Sequence, residues 1–398
     1  MKTLADAKVA IVFEWFQRFG GVERVIAEMR EAFPDSDLFA LVHDPDSLAG
    51  TPLEGEAVHT SFIQRLPFSK EKYRSYLPLM PLAVEQFDLR PYDLVLSSSH
   101  TVAKGVLTCA DQLHVSYTHT PVRYAWDLYL DYLSGSGLDR GAKGWLARLV
   151  LHYLRLWDES ASNRVDAYLA NSSYVARRIE KLYRRSSRVV YPPVDVARYR
   201  PDRRRDGFFV TVSRLVPYKR LDLVVDAFTR MGKPLVVIGD GPERAALQQK
   251  AGPTVKVLGY QPDEVVRDYL ERARGFVFAA NEDFGIAPVE AQAAGCPVVA
   301  YGKGGALETV VGWPAPGATG VFFDSQTPEA LQRAVNLFEA NADSFDPDAC
   351  RHNAERFGQE RFRRELRGTV EELWDRFQEN ERPEWSAVGH RGGAARGA

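Results

Sequence analysis

The sequence predicts an α/β protein with two Rossmann-like, doubly wound parallel-sheet domains that face one another across a cleft. Its 398 residues are too many for one ordinary hydrophobic core. Short apolar strands alternate with amphipathic helices, which is typical of parallel sheets with right-handed crossovers. The alternation restarts after residues 200–207, a polar stretch with the composition of a linker, so we expect domains at 1–200 and 201–358.

The first domain is expected to open with a strand at residues 8–13, followed by a loop and a helix over 21–33. Val22, Val25 and Met29 recur in that helix at the spacing of one buried face. The other strands predicted in this half are residues 38–42, 94–97, 113–117 and 166–170.

The second domain repeats the pattern and ends in a long helix. Its predicted strands are residues 208–213, 234–239, 255–258, 275–280 and 297–301, with helices over 221–230 and 243–250 among them. The last helix, over about 359–378, is amphipathic; its apolar residues are Phe362, Leu366, Val370, Leu373 and Trp374. Residues 381–398 are rich in Gly, Ala and Arg, and we expect them to be a disordered tail.

Composition limits the classes of partner. The chain is 45% hydrophobic and 26% charged with a net charge of -2, which is typical of a soluble globular protein and disfavours nucleic acid as a partner. Cys109, Cys296 and Cys350 are an odd number with no metal-binding spacing, which favours a reducing compartment. No stretch is long and apolar enough for a signal peptide core or a membrane span. We therefore expect a cytoplasmic protein.

Unusual residues follow several predicted strands, where open parallel sheets bind ligands and helix N termini favour anions. The Gly20-Gly21 pair enters the first helix and allows close approach of a phosphate, although an ordinary flexible loop is the alternative. Residues 239–244 imitate a dinucleotide fingerprint but carry Arg244 at the third glycine position, which counts against an NAD enzyme.

Two loops of the second domain have polar or glycine-rich sequences at strand ends. Arg214 and Lys219 leave the strand at 208–213 together and are placed to clamp a diphosphate; a solvated basic loop is the alternative. Gly241, in the Gly-Asp-Gly-Pro turn after the next strand, either forms a tight turn or lets a nucleotide lie against the backbone.

The most specific pattern is the loop and helix at residues 281–295. Glu282 lies on the loop, and Glu290 is expected in the first turn of the helix, with Pro288 at its first position. A carboxylate accepts two hydroxyl groups, which suits a ribose or a hexose. The N–H groups of Phe284, Gly285 and Ile286 are expected to point towards a phosphate.

These motifs, with the Ala-Ala-Gly-x-Pro-Val-Val-Ala run at 293–300, resemble the retaining GT-B glycosyltransferases of family 4 over nearly the whole chain. The resemblance implies that Glu290 holds the nucleotide ribose and Glu282 the donor sugar. Arg214 and Lys219 would neutralise the diphosphate, which the Gly20-Gly21 pair would admit from the other domain. It also implies that the final helix, to about residue 380, crosses back to the N-terminal acceptor domain.

The run at residues 117–127 follows a strand of the first domain. His119 matches the histidine that family members place beside the donor sugar, while Arg123, Tyr124 and Trp126 suit contacts with the acceptor. This run and residues 213–220 look most like bacterial α-mannosyltransferases that use GDP-mannose to build polysaccharides. The resemblance therefore implies a glycan or a lipid-linked saccharide as acceptor.

We expect no cofactor and no metal, because the cations of the second domain can stabilise the leaving diphosphate. Asp44-Pro-Asp46 imitates the Asp-x-Asp motif of metal-dependent transferases, but the same triplet is ordinary turn chemistry. The resemblance alone implies retention of configuration, and the leaving phosphate is our hypothesis for the group that takes the acceptor proton.

Residues 172–188 hold six basic residues against Glu180 alone, and residues 143–157 are rich in Leu and Trp. Two interpretations stay open. The stretches form a peripheral contact with an anionic membrane, or the first is a solvated helix face and the second packs in the core. Two other functions also stay open: a nucleotide-sugar epimerase of the same architecture, and a non-catalytic nucleotide-sugar binding protein.

Overall fold

The computed structural model describes residues 2–17 and 19–379. The chain divides into two compact units, one formed by Met1–Tyr191 with Phe362–Ala398 and the other by Pro192–Arg361. The tail predicted at residues 381–398 lies outside the described residues.

The first unit is built on a seven-stranded parallel sheet. Its strands are β1 (Val9–Phe16), β2 (Asp37–His43), β3 (Val58–Thr60), β4 (Leu94–Ser99), β5 (Leu113–Thr118), β6 (Ala167–Ala170) and β7 (Arg188–Val189). They lie in the order β3-β2-β1-β4-β5-β6-β7, so the winding reverses between β1 and β4. The two edge strands, β3 and β7, were not predicted because two or three residues are too few to show a period of alternation.

Helices cover both faces of this sheet. They are α1 (Gly21–Ala32), α2 (Ser69–Lys72), α3 (Met80–Val84), α4 (Tyr129–Gly135), α5 (Gly141–Ser162) and α6 (Ser173–Tyr183). One core cluster contains Ile11 and Phe13 of β1 with Val25 of α1, and the opposite one contains Val12 of β1 with Leu154 of α5. Alternate residues of β1 therefore pack into different cores, as expected for a strand buried on both faces.

The second unit has a six-stranded parallel sheet in the order β10-β9-β8-β11-β12-β13. Its strands are β8 (Phe209–Val212), β9 (Leu235–Ile238), β10 (Val255–Gly259), β11 (Gly275–Phe278), β12 (Val298–Tyr301) and β13 (Gly320–Phe323). Its helices are α7 (Leu221–Met231), α8 (Arg244–Lys250), α9 (Asp263–Arg272), α10 (Ile286–Ala293), α11 (Ala306–Thr309), α12 (Pro328–Ala340) and α13 (Pro347–Glu355). The winding reverses between β8 and β11. The sequence interpretation missed β13.

The last helix, α14 (Gln359–Gln378), has its apolar face in the core of the first unit. Phe362 packs edge-on against Tyr117 of β5 with ring centroids 5.7 Å apart. Arg363 pairs with Glu28 of α1 at 2.7 Å, and the indole N–H of Trp374 donates to a backbone oxygen. A stripe of buried apolar residues and two polar contacts thus hold α14 in the first unit.

The arginine-rich stretch at residues 200–207 is folded onto α9 and is not the loose linker that its composition predicts. Arg203 pairs with Asp268 at 2.8 Å, and Arg205 donates to the carbonyl oxygen of Glu271 at 2.8 Å. The two arginine side chains thus bond to a carboxylate and to a free carbonyl oxygen in the C-terminal half of α9, where the helix dipole favours positive charge. The division between the units accordingly falls at Tyr191 and Pro192, earlier than the predicted boundary.

Among residues 2–17 and 19–379, no helix combines the length and the hydropathy needed to cross a membrane. All three cysteines are free thiols; Cys109 is exposed, whereas Cys296 and Cys350 are buried.

Candidate active site

Two predicted site residues meet at the point where the winding of the second sheet reverses. Lys219 ends a short 3-10 helix, Pro217–Lys219, that follows β8, and Glu282 lies on the loop after the adjacent strand β11. The ammonium of Lys219 and the carboxylate of Glu282 form an ion pair, with their side chains 15% and 20% exposed. Open α/β sheets bind ligands at such a reversal, so the two groups lie where a ligand is expected.

Glycines of the next loop hold the Glu282 loop in place. The N–H of Gly305 donates to the carbonyl oxygen of Glu282 at 2.9 Å. A Cβ on Gly305 would overlap the backbone of Phe284, and one on Gly304 would overlap the carbonyl of Glu282. Only glycine permits this close approach of two backbones.

The helix that follows begins earlier than predicted. Gly285 caps α10 in the left-handed conformation with φ of 87°, and Ile286 is the first helical residue. Pro288 is therefore the third position and Glu290 lies in the second turn, which corrects the sequence interpretation. Pro288 has no N–H, but the N–H groups of Ile286 and Ala287 have no partner within the helix, so this end stays suited to an anion. Phe284 is buried against Phe357, with ring centroids 5.3 Å apart.

Arg214 and Gly241, which were also predicted to contact the nucleotide-sugar donor, lie on two loops that pack against one another. Arg214 follows β8 with an exposed side chain. The next residue, Leu215, donates its N–H to the carbonyl oxygen of Asp240 at 2.9 Å, and a Cβ on Gly241 would overlap the Leu215 carbonyl. Gly241 is thus needed for packing of the two loops. The structure joins Lys219, and not Arg214, to Glu282.

At the winding reversal of the first sheet lies a buried carboxylate that the sequence interpretation missed. Glu14 is part of β1 and is fully buried. One of its oxygens accepts from the Ser99 hydroxyl and from four backbone N–H groups after β4, at 2.8–3.2 Å. Its other oxygen lies 2.9 Å from Nδ1 of His100, whose side chain is 24% exposed.

The charges of Glu14 and His100 stabilise one another. Burial alone would raise the pKa of Glu14, but the charge of His100 and the hydrogen bonds outweigh it and lower the pKa to about 2. Burial alone would lower the pKa of His100, but the Glu14 carboxylate raises it above its ordinary value. The pair with Glu14 therefore favours the protonated form of His100 at the end of β4.

His119, the histidine predicted to lie beside the donor sugar, follows the neighbouring strand β5 and is buried. Its Nε2 lies 2.8 Å from the hydroxyl of Ser98, and its ring packs edge-on against Tyr117. Burial, with the adjacent charge of His100, lowers the pKa of His119 to about 3. His119 is accordingly a neutral hydrogen-bonding group.

The Gly20-Gly21 pair begins α1 as predicted. The N–H of Gly20 donates to the carboxylate of Glu23 at 3.0 Å, which closes the first turn. Burial raises the pKa of Glu23 to about 7. The helix start is thus capped by an acid of its own chain.

The three residues predicted to touch an acceptor are partly buried and make contacts within the first unit. Arg123 pairs with Asp127, and the indole N–H of Trp126 donates to the buried Asp158 at 2.8 Å. The hydroxyl of Tyr124 lies 3.5 Å from that of Thr101. Asp158 also pairs with the buried Lys104, so Trp126 belongs to a buried polar network.

Two family models match the chain. The model described as "Glycosyltransferase Family 4" covers residues 19–198, and the one described as "Glycosyl transferases group 1" covers residues 200–357. The chain belongs to glycosyltransferase family 4. The winding reversal of the second sheet lies within the matched residues 200–357 of this glycosyltransferase; of the two strands at the first reversal, β4 lies within residues 19–198 and β1 precedes them.

Curated relatives are distant in sequence. A GDP-mannose-dependent alpha-mannosyltransferase of Mycobacterium tuberculosis is 27% identical over 364 residues, which are 84% of this chain and 89% of the relative. A D-inositol 3-phosphate glycosyltransferase of Mycolicibacterium gilvum is 27% identical over 224 residues, half of each chain. The match thus spans only half the length of the second relative.

Solved structures of similar fold include a sucrose-phosphate synthase from Thermosynechococcus elongatus, with a TM-score of 0.69 and 15% identity over 92% of this chain and 99% of that one. Anabaena HepE in complex with UDP gives a TM-score of 0.65 and 17% identity over 92% of this chain and 100% of that one. With the two parallel sheets described above, these neighbours show that the glycosyltransferase has the GT-B fold.

The structure adds Glu14 and His100 to the candidates that the sequence supplied. His100 directly follows β4, three residues after the end of the strand predicted at 94–97, and would have been found by the same strand-end criterion that selected His119. Glu14 directly follows the strand predicted at residues 8–13 and meets the same criterion, although the structure extends β1 to Phe16 and buries this carboxylate within the strand.

Asp44, the first acid of the Asp-Pro-Asp triplet, pairs with Lys70 at 2.9 Å ahead of a 3-10 turn. In the part of the glycosyltransferase that the structure describes, no group of three or more His, Cys, Asp or Glu side chains is arranged to hold a metal ion. The expectation that activity is metal-independent stays a prediction.

Proposed function

We propose that this glycosyltransferase moves mannose from GDP-mannose to a glycan or a lipid-linked saccharide in bacterial polysaccharide biosynthesis, with retention of anomeric configuration. The observation that carries the proposed transfer is the Lys219–Glu282 ion pair at the winding reversal of the second sheet. The choice of donor is supported by the relative that matches most of the chain and is described as GDP-mannose-dependent.

The ion pair provides two kinds of contact for such a donor. An ammonium carries a full positive charge and three N–H donors, so Lys219 is proposed to bond to phosphate oxygens of the donor beside Glu282. The carboxylate of Glu282 retains acceptor positions for sugar hydroxyl groups. Glu290, one turn into α10, is proposed to accept from the ribose hydroxyls.

Cleavage of the anomeric bond leaves a nucleoside diphosphate with new negative charge. Lys219, the exposed Arg214 and the N-terminal N–H groups of α10 are proposed to stabilise that charge, because cations and dipoles placed in advance lower the barrier. The leaving phosphate oxygen is proposed to take the proton of the acceptor hydroxyl. We further propose that the protein acts in the cytoplasm without a metal ion.

The proposal is tested by incubating the full chain with GDP-mannose and a panel of mannosyl and lipid-linked acceptors. We expect GDP release that depends on an acceptor, together with an α-linked product identified by the NMR signal of its anomeric proton. Activity is expected to persist after treatment with a chelator.

Other outcomes would overturn parts of the proposal. A β-linked product would contradict retention, and activity lost to a chelator and restored by manganese would contradict metal independence. Donor turnover without any acceptor would indicate an epimerase. Tight binding of GDP-mannose without turnover with any acceptor would support a binding protein instead.

A further inference from the structure

The outward face of α5 in the first unit is apolar and exposed. Trp145, Leu146 and Leu156 are 65%, 59% and 57% exposed, and Leu149 and Tyr153 are exposed as well. Positions 145, 149, 153 and 156 recur every three or four residues, so they form one stripe over about 16 Å of helix. Apolar side chains of this size at the surface mark an interaction site when they are contiguous.

The stripe is not the face that packs the helix into its unit. Leu151, Leu154 and Trp157 lie on the opposite side of α5 and belong to a core cluster of that unit. Residues 143–157, which were expected either to pack in the core or to touch a membrane, thus bury one face of α5 in the core and leave the other face exposed.

The charge around the stripe is predominantly positive. Residues 140–157 contain Arg140, Lys143, Arg148 and Arg155 and no Asp or Glu; Asp139, which pairs with Arg140, and the exposed Glu159 flank this range. Helical geometry places Arg148 and Arg155 along one flank of the stripe. We propose that the outward face of α5 docks on an anionic lipid surface, with its Trp, Tyr and Leu side chains at the headgroup boundary.

The arginine flank is held in position. Arg148 donates to the carbonyl oxygen of Asp139 at 2.9 Å, and Arg155 donates to that of Ala125 at 2.9 Å. Arg155 also lies over the ring of Tyr129 at the start of α4, 4.9 Å from its centroid. These partners carry no charge on the contacting atoms, so the contacts hold each guanidinium in place without cancelling its positive charge, which suits attraction to anionic headgroups.

The basic stretch at residues 172–188 is less available for lipids than its composition predicts. Arg178 pairs with Asp127 at 3.0 Å, and Arg188 pairs with Glu372 of α14 at 2.8 Å. Arg185 donates to the carbonyl oxygen of Val165 at 2.9 Å. Half of the six basic residues thus take part in the structure of the first unit, so α5 and not α6 is the proposed contact.

A second copy of the chain fits this surface less well. Two copies that covered each other's stripe would bring the basic flanks together, with only the carboxylates of Asp139 and Glu159 beside the stripe to offset four basic residues in each copy. An anionic bilayer supplies both an apolar layer and the opposite charge.

Vesicle sedimentation of the full chain tests the proposal directly. Vesicles of phosphatidylcholine mixed with phosphatidylglycerol are expected to bind the protein at low salt, more strongly than vesicles of phosphatidylcholine alone. The double variant Trp145→Gln, Leu149→Gln is expected to bind at least tenfold more weakly. Because both side chains are exposed, its thermal unfolding midpoint is expected to match that of the unchanged protein.

Leu337→Gln in the second unit is the matched control, since Leu337 is also an exposed leucine on a helix. This variant is expected to bind vesicles as the unchanged protein does. Failure to sediment with anionic vesicles at low salt would overturn the proposal, as would equal binding by the double variant. A dimer in analytical ultracentrifugation that the double variant dissociates would assign the face to a second copy instead.

Discussion

At the residue scale, the Lys219–Glu282 ion pair places one cation and one anion of the proposed donor site in contact. Both side chains are mostly buried, so loss of either partner leaves the other charge poorly solvated. Substitution of Lys219 or Glu282 therefore disturbs the remaining charge as well as removing a contact with the ligand. The effect of substitution is best compared with that of breaking a similar ion pair elsewhere in the same unit.

Lys219→Gln is expected to lower kcat by about 10²- to 10³-fold, the typical cost of removing one group that stabilises charge in the transition state. Glu282→Gln is expected to lower kcat/KM because a neutral amide accepts sugar hydroxyls less strongly. Initial rates of GDP release with an acceptor measure both effects.

Lys233→Gln provides the control, since Lys233 forms a similar partly buried pair with Glu339 in the same unit but away from the winding reversal. It is expected to leave kcat within about twofold. If this control loses a comparable amount of activity, the effect of Lys219→Gln comes from a less stable fold, and the proposed role of Lys219 in stabilising the leaving diphosphate is contradicted.

Glu23 at the start of α1 has a pKa raised to about 7 from an ordinary 4.5 by burial. The folded state thus keeps a proton that the unfolded state releases, so the folded state is progressively disfavoured as pH rises from 4.5 to 7. In Glu23→Gln this titration is absent, and Gln can still accept from the N–H of Gly20.

The variant is therefore expected to gain roughly 3 kcal/mol in unfolding free energy relative to the unchanged protein between pH 4 and pH 8. Urea denaturation at the two pH values measures the difference. If the difference in unfolding free energy between the unchanged protein and the variant is the same at both pH values, burial does not raise the pKa of Glu23 and the argument is wrong.

At the element scale, Glu14 ties β1 to the segment after β4 through five donors to one oxygen and an ion pair with His100. Glu14→Gln is expected to destabilise the first unit by about 3–5 kcal/mol, the usual cost of breaking a buried ion pair on one side. Since the pKa of Glu14 is lowered to about 2, this contribution is present above pH 4.5 and is lost as the pH falls towards 2.

Urea denaturation at neutral pH measures the loss. Asp88→Asn is the control, because Asp88 pairs with Arg90 on the surface of the same unit and such pairs contribute little. Equal shifts of the urea midpoint in the two variants would contradict the structural role of Glu14.

The glycine contact beneath the Glu282 loop gives a second prediction at this scale. Gly305→Ala is expected to displace residues 282–285, because the added Cβ would overlap the Phe284 backbone. KM for the donor should rise at least tenfold. Gly207→Ala, where a Cβ would meet nothing within 4 Å, is expected to leave KM unchanged. An unchanged KM in Gly305→Ala would show that this loop does not hold the donor.

For the whole molecule, the sequence predicted the two parallel-sheet units and the Lys219 and Glu282 loops, because long apolar strands and unusual strand-end residues are local signals. It could not predict the short strands β3, β7 and β13, or the position of residues 200–207 against α9, which depend on contacts between distant segments. Glu14 shows the same limit: its partners follow a strand about 85 residues away.

The account depends most on the claim that the second unit binds a nucleotide sugar at Lys219 and Glu282. Calorimetric titration of the full chain with GDP-mannose, GDP and their UDP counterparts tests it directly. We predict binding with a micromolar Kd, tighter for the guanine nucleotides, and at least tenfold weaker in Lys219→Gln but not in Lys233→Gln. Absence of heat with every nucleotide, or equal affinities in the two lysine variants, would contradict the claim.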